Sequence, residues 1–477
     1  MNTIFPAPYQ LFNSYFQIKS LNKIYNENLK LTLTTTKGID RLSGIQFKKQ
    51  AKVQMRVIRK KCLQGTYKFS PYLELLKSKG RKKYPRVLAI PTIRDRIVLY
   101  TLKEILSQIF PECVPRKLAN TYIYEIKQNI INESPSEFSI YRADIKDFYG
   151  TIDRIQLLNK LKKRIKSRKI LTIIKRAIET PIVPKNYNRK DIRKYVEKTE
   201  DSNNKGIPQG LSISNILASI YLHEFDLDVK LNTCVDVYYR YVDDILIFTR
   251  KDKIDEVECL IKQKIEALNL ELNSEKTYKN NGEQEFEYLG YRFELPKITI
   301  RSSTVERFLH LIAAKFSSYI HNREKMLNHL KKFNYSIEKL KDIFILDLNE
   351  KITGAINESN KYGWIFYFNA INDMNVLYKI DKIIANLFKR LEDFGRIAPP
   401  NLKKISRAFY EAKYNPTGGY IHNYNKYETI EQIIVFLRER AQLDPSKEYS
   451  EKEIYDLYES IKYKNLLDLE RDDAFLY

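Results

Sequence analysis

Apolar residues recur along this chain with two different periods, and the balance between them changes near residue 300. Before that point, apolar and aromatic runs typical of β-strands alternate with helical patterns. The clearest strand candidates are SIYRADI (139–145), VDVYYRY (235–241), ILIFTR (245–250) and VLAIP (87–91). Beyond residue 300 the helical period continues to the end of the chain. The pattern therefore predicts a mixed first part followed by an all-helical C-terminal region.

Longer segments before residue 300 repeat their apolar residues every three to four positions, which is the period of an amphipathic helix. The predicted helices cover 45–63, 95–110, 154–180, 212–229 and 254–270. Residues 184–205 are polar and lack periodicity, so we expect a loop or an insertion there. EYLGYRF (287–293) predicts a short strand pair.

The charge of the chain is strongly positive, with a formal net charge of +24 over 477 residues. The stretch from Lys48 to Arg86 holds fourteen Lys and Arg residues and a single acid, Glu74. Such a balance favours an anionic polymer or an anionic membrane surface as partner. The 35 tyrosines and 23 phenylalanines suit base stacking. An AT-rich genome would also produce a composition rich in Lys and Tyr.

Several classes of site and segment find no support in the sequence. The four cysteines form no CxxC pair, so we expect neither a zinc ribbon nor a disulfide framework. His310, His321 and His329 have no usual metal-ligand spacing. The first residues do not resemble a signal peptide, and no run of about 18 apolar residues is present. We therefore expect a cytoplasmic protein with no membrane partner.

Three carboxylates interrupt the apolar pattern. Asp144 ends one predicted strand, and Asp243 and Asp244 occupy the turn of a hairpin with apolar and aromatic flanks. Strands distant in sequence can pair and bring such ends together, and crowded carboxylates repel each other unless a cation joins them. Oxygen ligands favour Mg²⁺ or Mn²⁺ over zinc, and two such ions can catalyse phosphoryl transfer. The Asp pair taken alone is also compatible with a solvated turn, where Asp is common.

Sequence blocks around these acids resemble, in order, the motifs of reverse transcriptases. The blocks are YPRVLAIPTIRDRIV (84–98), ADIKDFYGTI (143–152), KGIPQGLSISNILASIYL (205–222), YVDD (241–244), LNSEKT (272–277) and EYLGYRF (287–293). The resemblance spans roughly residues 45–300. It implies an α+β right-hand polymerase with fingers, a palm built on an antiparallel sheet, and a thumb.

The same resemblance implies a division of the chain into five parts. These are an N-terminal extension (1–45), fingers (46–140), a palm (141–300) with a fingers insertion and the polar loop 184–205, a helical thumb-like region (301–400) and a helical C-terminal extension (401–477). The only tryptophan, Trp364, falls in the thumb-like region. We expect it to be packed core, the alternative being a surface that contacts RNA.

The resemblance also implies roles for individual residues in catalysis. Asp144, Asp243 and Asp244 would bind two Mg²⁺ ions, with Mn²⁺ as an alternative, and Ile145 would add its backbone carbonyl. Lys276 would act near the leaving pyrophosphate, although a solvated lysine is the competing interpretation.

A second group of residues is expected to bind the substrate. Lys83 and Arg86 would hold the incoming triphosphate, where fixed positive charge offsets developing negative charge. Gln209 and the backbone around Gly210 would position nucleotide and template. Tyr149 stands where the family has an aromatic residue under the sugar, and a bulky ring there leaves no room for a 2′-OH. It implies use of dNTPs, unless Tyr149 is merely a core residue.

The block GIPQGLSISN (206–215) narrows the resemblance further. Its Ile-Ser-Asn stands where intron enzymes usually have Ser-Pro, as in bacterial abortive-infection and defence-associated reverse transcriptases. This implies an RNA-directed DNA polymerase of antiphage defence, with an RNA template such as a dedicated noncoding RNA, dNTPs and a DNA product as partners. The resemblance is compatible with a homo-oligomer or a hetero-oligomer. A protein-primed or template-independent DNA polymerase of the same fold, and a non-catalytic RNA-binding scaffold, stay open as alternatives.

Overall fold

A computed structural model of the chain describes residues 7–29, 37–77, 84–115, 117–130, 134–188, 195 and 204–474. The chain divides into two compact units. The first comprises Met1–Lys117 and Phe138–Lys279, and the second comprises Leu118–Glu137 and Asn280–Tyr477. Within the described ranges, no helix is both long enough and apolar enough to cross a bilayer.

The regular elements of the described residues follow in chain order. The helices are α1 (Pro8–Tyr15), α2 (Ile18–Ile24), α3 (Gly44–Leu63), α4 (Ile93–Ile109), α5 (Ala119–Ile130), α6 (Phe148–Thr151), α7 (Arg154–Arg164), α8 (Arg168–Glu179), α9 (Ser214–Lys230), α10 (Ile254–Ala267), α11 (Ser302–Lys331), α12 (Ile337–Thr353), α13 (Trp364–Tyr367), α14 (Asn375–Leu387), α15 (Ile405–Tyr414), α16 (Ile430–Glu439) and α17 (Glu451–Ala474). The strands are β1 (Tyr72–Lys77), β2 (Arg86–Ile90), β3 (Phe138–Asp144), β4 (Ile182–Val183), β5 (Val237–Tyr241), β6 (Asp244–Arg250), β7 (Tyr278–Asn281), β8 (Phe286–Tyr288), β9 (Tyr291–Glu294), β10 (Lys297–Ile300), β11 (Ala355–Asn357), β12 (Asn360–Tyr362) and β13 (His422–Asn423).

A four-stranded sheet in the order β5-β6-β3-β7 forms the centre of the first unit. Strand β6 runs antiparallel to both of its neighbours, so the sheet is built on the predicted hairpin β5–β6. Every residue of β3 is buried, and helix α10 packs against this strand. Coverage of this kind explains why β3 and β6 are rich in apolar residues, while an acid stands at the end of β3 and at the start of β6.

A smaller sheet in the order β2-β1-β4 accompanies it in the first unit. Strands β1 and β2 form an antiparallel pair in which Leu73 lies opposite Ile90. Thr92 caps the N-terminus of α4, and its hydroxyl accepts a hydrogen bond from the Asp95 backbone N–H (3.2 Å). The buried Asp95 carboxylate accepts from the Tyr67 hydroxyl (2.6 Å), which ties the segment before β1 to the first turn of α4.

Most predicted elements of the first unit are confirmed to within a few residues, but the single helix predicted over 154–180 is wrong. The segment forms two helices, α7 and α8, separated at 165–167. Ile165 takes an extended backbone (φ −102°, ψ 103°) and is fully buried, and Ser167 is extended as well. The break turns the chain so that both helices bury an apolar face. The polar loop expected over 184–205 lies mostly outside the described residues.

The second unit is largely helical, as the sequence predicts beyond residue 300. Trp364 is 2% exposed and its ring stacks on Phe308 with centroids 4.5 Å apart, so the prediction of packed core is confirmed. A sheet in the order β12-β11-β13 also lies in this helical region and was not predicted. Its strands have two or three residues each, too short for a period to be visible.

Candidate active site

Three carboxylates meet at one end of the four-stranded sheet. The pairing of β3 with β6 puts Asp144 directly opposite Asp244. Asp243 lies in the turn before β6 and follows Val242, whose backbone is left-handed (φ +57°). The Asp243 carbonyl accepts a hydrogen bond from the Ile145 N–H (3.1 Å), which fixes the turn against the end of β3. The local strand and turn pattern thus gathers acids from two distant parts of the chain.

Burial and crowding make these carboxylates less acidic. Burial, and next the nearby Asp144 carboxylate, raise the pKa of Asp243 to about 6. Burial also raises the pKa of Asp244, with Arg142 opposing the shift. Because the ionised forms are penalised at this position, a divalent cation would stabilise the charged cluster.

Asp244 differs from the other two carboxylates because both of its oxygens accept hydrogen bonds from one arginine. Arg142 donates from Nε to Oδ1 and from Nη2 to Oδ2 of Asp244, each at 3.2 Å. The two side chains are 10% and 13% exposed. Burial works against the charged guanidinium, but the Asp244 carboxylate more than offsets it, and the pKa of Arg142 is raised. Sequence reasoning missed Arg142, although its place two residues before Asp144 puts both side chains on one face of β3.

Asp144 is held by the segment that follows α10. The Lys276 ammonium lies 2.7 Å from Oδ1 of Asp144, and the Asn273 side-chain amide donates to Oδ2 at 3.3 Å. The Asn273 backbone N–H also donates to the Asp144 carbonyl (2.7 Å). Lys276 therefore lies in the carboxylate cluster, and its predicted role near the leaving pyrophosphate stays a prediction. Asn273 was missed, although it stands in the same LNSEKT block.

Tyr149 lies beside the carboxylates and is fixed by an asparagine. Its hydroxyl donates to Oδ1 of Asn215 at 2.5 Å. Burial, and next the negative charge of Asp243, raise the pKa of Tyr149, while the positive charge of Arg86 lowers it. The Nε of Arg86 is buried and has no hydrogen-bond partner among the described residues. An unpartnered buried guanidinium nitrogen on a residue that interacts electrostatically with Tyr149 is suited to an anionic ligand.

The PQG segment packs on the strand that carries Arg86. The Gln209 carbonyl accepts from the Ala89 N–H (2.7 Å). Gly210 has φ +93°, and a Cβ there would come within 3.1 Å of the Ala89 carbonyl oxygen, so this approach requires glycine. The structure thus joins Gln209 and Gly210 to β2, but gives them no contact with the carboxylates that could test their predicted role. Lys83 lies outside the described residues.

The donor set at the end of the sheet fits a hard divalent cation. It offers carboxylate oxygens and backbone carbonyls, which are the ligands that Mg²⁺ and Mn²⁺ prefer.

A different group, Glu112, Cys113 and His223, brings three potential ligand atoms within 4.8 Å of one another. Burial raises the pKa of the Cys113 thiol to about 12, and Arg164 pairs with Glu112 at 2.7 Å, so this group is not poised to bind a metal. All four cysteines are free, as expected.

Comparisons with known proteins agree with this geometry. Residues 76–293 match the family model "Reverse transcriptase (RNA-dependent DNA polymerase)". Protein YkfC of Escherichia coli (strain K12) is 22% identical over 314 residues, which are 56% of this chain and 79% of YkfC. The group II intron-encoded protein LtrA of Lactococcus lactis subsp. cremoris is 26% identical over 34% of this chain, and the match spans 26% of LtrA.

Among solved structures, telomerase from Candida albicans in complex with a fragment of telomeric RNA has a TM-score of 0.39 and 14% identity, covering 74% of this chain and 68% of that one. The family model covers the sheet, the carboxylates and the PQG segment together. Residues 76–293, which are less than half of this chain, are therefore similar to the reverse transcriptase family of RNA-directed DNA polymerases.

Proposed function

We propose that this protein copies RNA into DNA by transferring nucleotidyl groups from dNTPs, with two Mg²⁺ ions held at Asp144 and Asp243. The observation that carries the proposal is the convergence of these carboxylates at one end of a sheet, where burial and mutual repulsion raise the pKa of Asp243 to about 6. A cluster that disfavours its own negative charge gains most from divalent cations. The match of residues 76–293 to the reverse transcriptase family model suggests the reaction class.

The residues around the cluster support distinct roles in that reaction. When bound, the ions would activate the attacking hydroxyl and stabilise the leaving oxygen. Asp144 and Asp243 would supply carboxylate oxygens, and Ile145 its carbonyl. Asp244 would contribute to the same cluster from its position against Arg142. Lys276 brings a positive charge to the cluster that can offset negative charge on the leaving pyrophosphate.

The substrate side of the proposal rests on Arg86 and Tyr149. The buried, unpartnered Nε of Arg86 is suited to a phosphate of the incoming dNTP, and Lys83, three residues earlier in the sequence, would bind the same triphosphate. Gln209 and Gly210, packed on the same strand, would support nucleotide and template. Tyr149 is fixed through its hydroxyl, so its ring can exclude a 2′-OH without moving away.

For the biological role, we propose antiphage defence in the bacterial cytoplasm, with an RNA template. Two features support this role, the sequence Ile-Ser-Asn at residues 213–215 and the helical region after residue 300. Both resemble defence-associated members of the reverse transcriptase family. A dedicated noncoding RNA is a template of the right class, and the net charge of +24 suits such a polyanion.

The proposal is tested by incorporation of labelled dNTPs on a primed RNA in the presence of Mg²⁺. Asp144→Asn and Asp243→Asn should each lower the rate by at least about a hundredfold, because each removes a metal ligand. Asp252→Asn, an exposed acid beyond the end of β6, is the matched control and should keep the wild-type rate.

Two outcomes would replace the proposal with an alternative. Synthesis that needs no template or nucleic-acid primer indicates a template-independent or protein-primed polymerase. Phage protection that survives the double substitution of Asp144 and Asp243 indicates a non-catalytic scaffold. Wild-type rates in both Asn variants would refute the assigned site.

A further inference from the structure

Helix α3 has one buried face and one face of exposed positive charge. Its buried face carries Phe47, Met55, Ile58 and Cys62, which join the core of the first unit and pack toward α2, α4 and α8. A capping box between Ser43 and Gln46 fixes its N-terminus. The exposed residues include seven cations, namely Lys48, Lys49, Lys52, Arg56, Arg59, Lys60 and Lys61. The helix has no acidic residue at any of its 20 positions.

The cations of α3 repel each other, and none of them pairs with an acid within the described residues. Lys48, Lys52, Arg56 and Lys60 follow one another at intervals of four residues, so each faces the next on the helix surface. We call these four residues the α3 ladder. Like charges at this spacing destabilise a helix. Within the described ranges no ladder residue forms an ion pair; the neighbouring Arg59 donates only to the Gln17 side-chain amide oxygen (3.1 Å).

The geometry of the ladder matches a polyanion better than a compact anion or a bilayer. Four residues of α-helix rise about 6 Å, so the ladder extends about 18 Å along one side of a rigid rod. A single phosphate would meet only one or two of its charges. The buried apolar face of α3 is packed in the core, and Ile45 and Val53 are the exposed large apolar residues of the helix, too few to form a continuous apolar stripe that inserts among lipids. Repeated phosphates on a nucleic-acid backbone satisfy the whole row.

We propose that the α3 ladder is a docking surface for the sugar–phosphate backbone of RNA. This contact is separate from the carboxylate site, because α3 contributes none of the residues of that site. The identification of the polyanion as RNA rests on the proposed function. Since the contacts are to phosphates, the surface adds affinity without reading sequence, and it holds the RNA in a salt-dependent way.

The test is the salt dependence of RNA binding, measured in EDTA and without dNTPs, so that the result does not depend on DNA synthesis. The ladder variant carries Lys48→Gln, Lys52→Gln, Arg56→Gln and Lys60→Gln. Glutamine keeps helix propensity while removing the charge. The control variant removes the same charge from exposed lysines of the second unit, with Lys325→Gln, Lys331→Gln, Lys379→Gln and Lys382→Gln. Fluorescence anisotropy of a labelled hairpin RNA gives the association constant at each salt concentration.

Four lost phosphate contacts should make the slope of log K against log salt shallower by about 3. Over a fourfold rise in salt, the association constant of the wild type should therefore fall by a factor about 50 times larger than that of the ladder variant. The control variant should keep the wild-type slope within about 0.5. A ladder slope equal to that of the control overturns the inference, even if the wild-type protein synthesises DNA.

Two further measurements keep the test decisive. If circular dichroism shows that the ladder variant is unfolded, the milder Lys52→Gln/Arg56→Gln variant replaces it, with an expected slope change of about 1.5. Vesicles containing phosphatidylserine serve as the competing anionic surface. Ladder-dependent binding to vesicles combined with ladder-independent binding to RNA would contradict the proposal. Absence of DNA synthesis with an intact ladder effect would instead count against the proposed function alone.

Discussion

Replacement of Arg142 by methionine tests whether the Arg142–Asp244 pair supports the carboxylate cluster. The guanidinium and carboxylate are joined by two hydrogen bonds of 3.2 Å, and the side chains are 10% and 13% exposed. Arg142→Met leaves the charge of Asp244 in a buried position beside Asp144. Breaking a buried pair from one side costs about 3–5 kcal/mol, and the residual exposure puts this pair near 3 kcal/mol. Arg142→Met/Asp244→Asn removes the stranded charge, so it should be less destabilised than Arg142→Met.

Hydrogen exchange at pH 7.5 in EDTA, read on peptides that cover β3 and β6, measures this local stability. A loss of 3 kcal/mol corresponds to about 150-fold faster exchange in these strands. Lys146→Met is the matched control, because the Lys146–Glu271 pair is 3.1 Å long but 63% and 75% exposed. Such a pair is worth under about 1 kcal/mol. Equal exchange in Arg142→Met and Lys146→Met, or a double variant less stable than Arg142→Met, would refute the reasoning.

Three further predictions concern neighbouring parts of the site. The pKa of Asp243 is raised to about 6, above its value of about 3.9 in an unfolded chain, so the contribution of Asp243 to stability is complete below pH 4 and is lost as the pH rises through 6. In EDTA, the melting temperature of Asp243→Asn minus that of the wild type should therefore grow from pH 4 to pH 7, and a constant difference would contradict the raised pKa. Tyr149→Phe and Asn215→Ala each break the same 2.5 Å hydrogen bond, so each should raise incorporation of NTPs relative to dNTPs by a few-fold, and the double variant should add nothing; additive effects would show that the two residues act separately. Gly210→Ala puts a Cβ 3.1 Å from the Ala89 carbonyl oxygen at φ +93°, which should cost about 1–3 kcal/mol and lower dNTP incorporation; unchanged thermal stability would argue against the close packing of the PQG segment on β2.

The sequence predicts the elements of the site well because they are local. Alternation and apolar runs are enough to locate β3, β5 and β6, and the acids at their ends stand out against apolar flanks. The carboxylates come together because β3 and β6 pair, which the sequence suggests without giving the register. Once Asp144 lies opposite Asp244, the alternation of side chains along β3 places Arg142 on the same face of the sheet as Asp144.

The contacts that hold the site could not be predicted, because they depend on tertiary pairing. Arg142 meets Asp244 from another strand, and Asn215 meets Tyr149 from the start of α9. The local signal for Arg142, its spacing of two residues from Asp144, does not identify Asp244 as its partner. The break between α7 and α8 was hidden for a related reason, since Ile165 keeps the helical apolar period while its backbone is extended to bury the side chain.

The most direct test of the central claim is the sequence of the DNA that the purified protein makes. The protein should be supplied with Mg²⁺, all four dNTPs and either of two RNA templates that share a primer site and differ in the sequence to be copied. We predict products complementary to whichever RNA was supplied, and no product from Asp243→Asn. Products whose sequence is the same with both templates, or that persist in Asp243→Asn, would contradict this prediction.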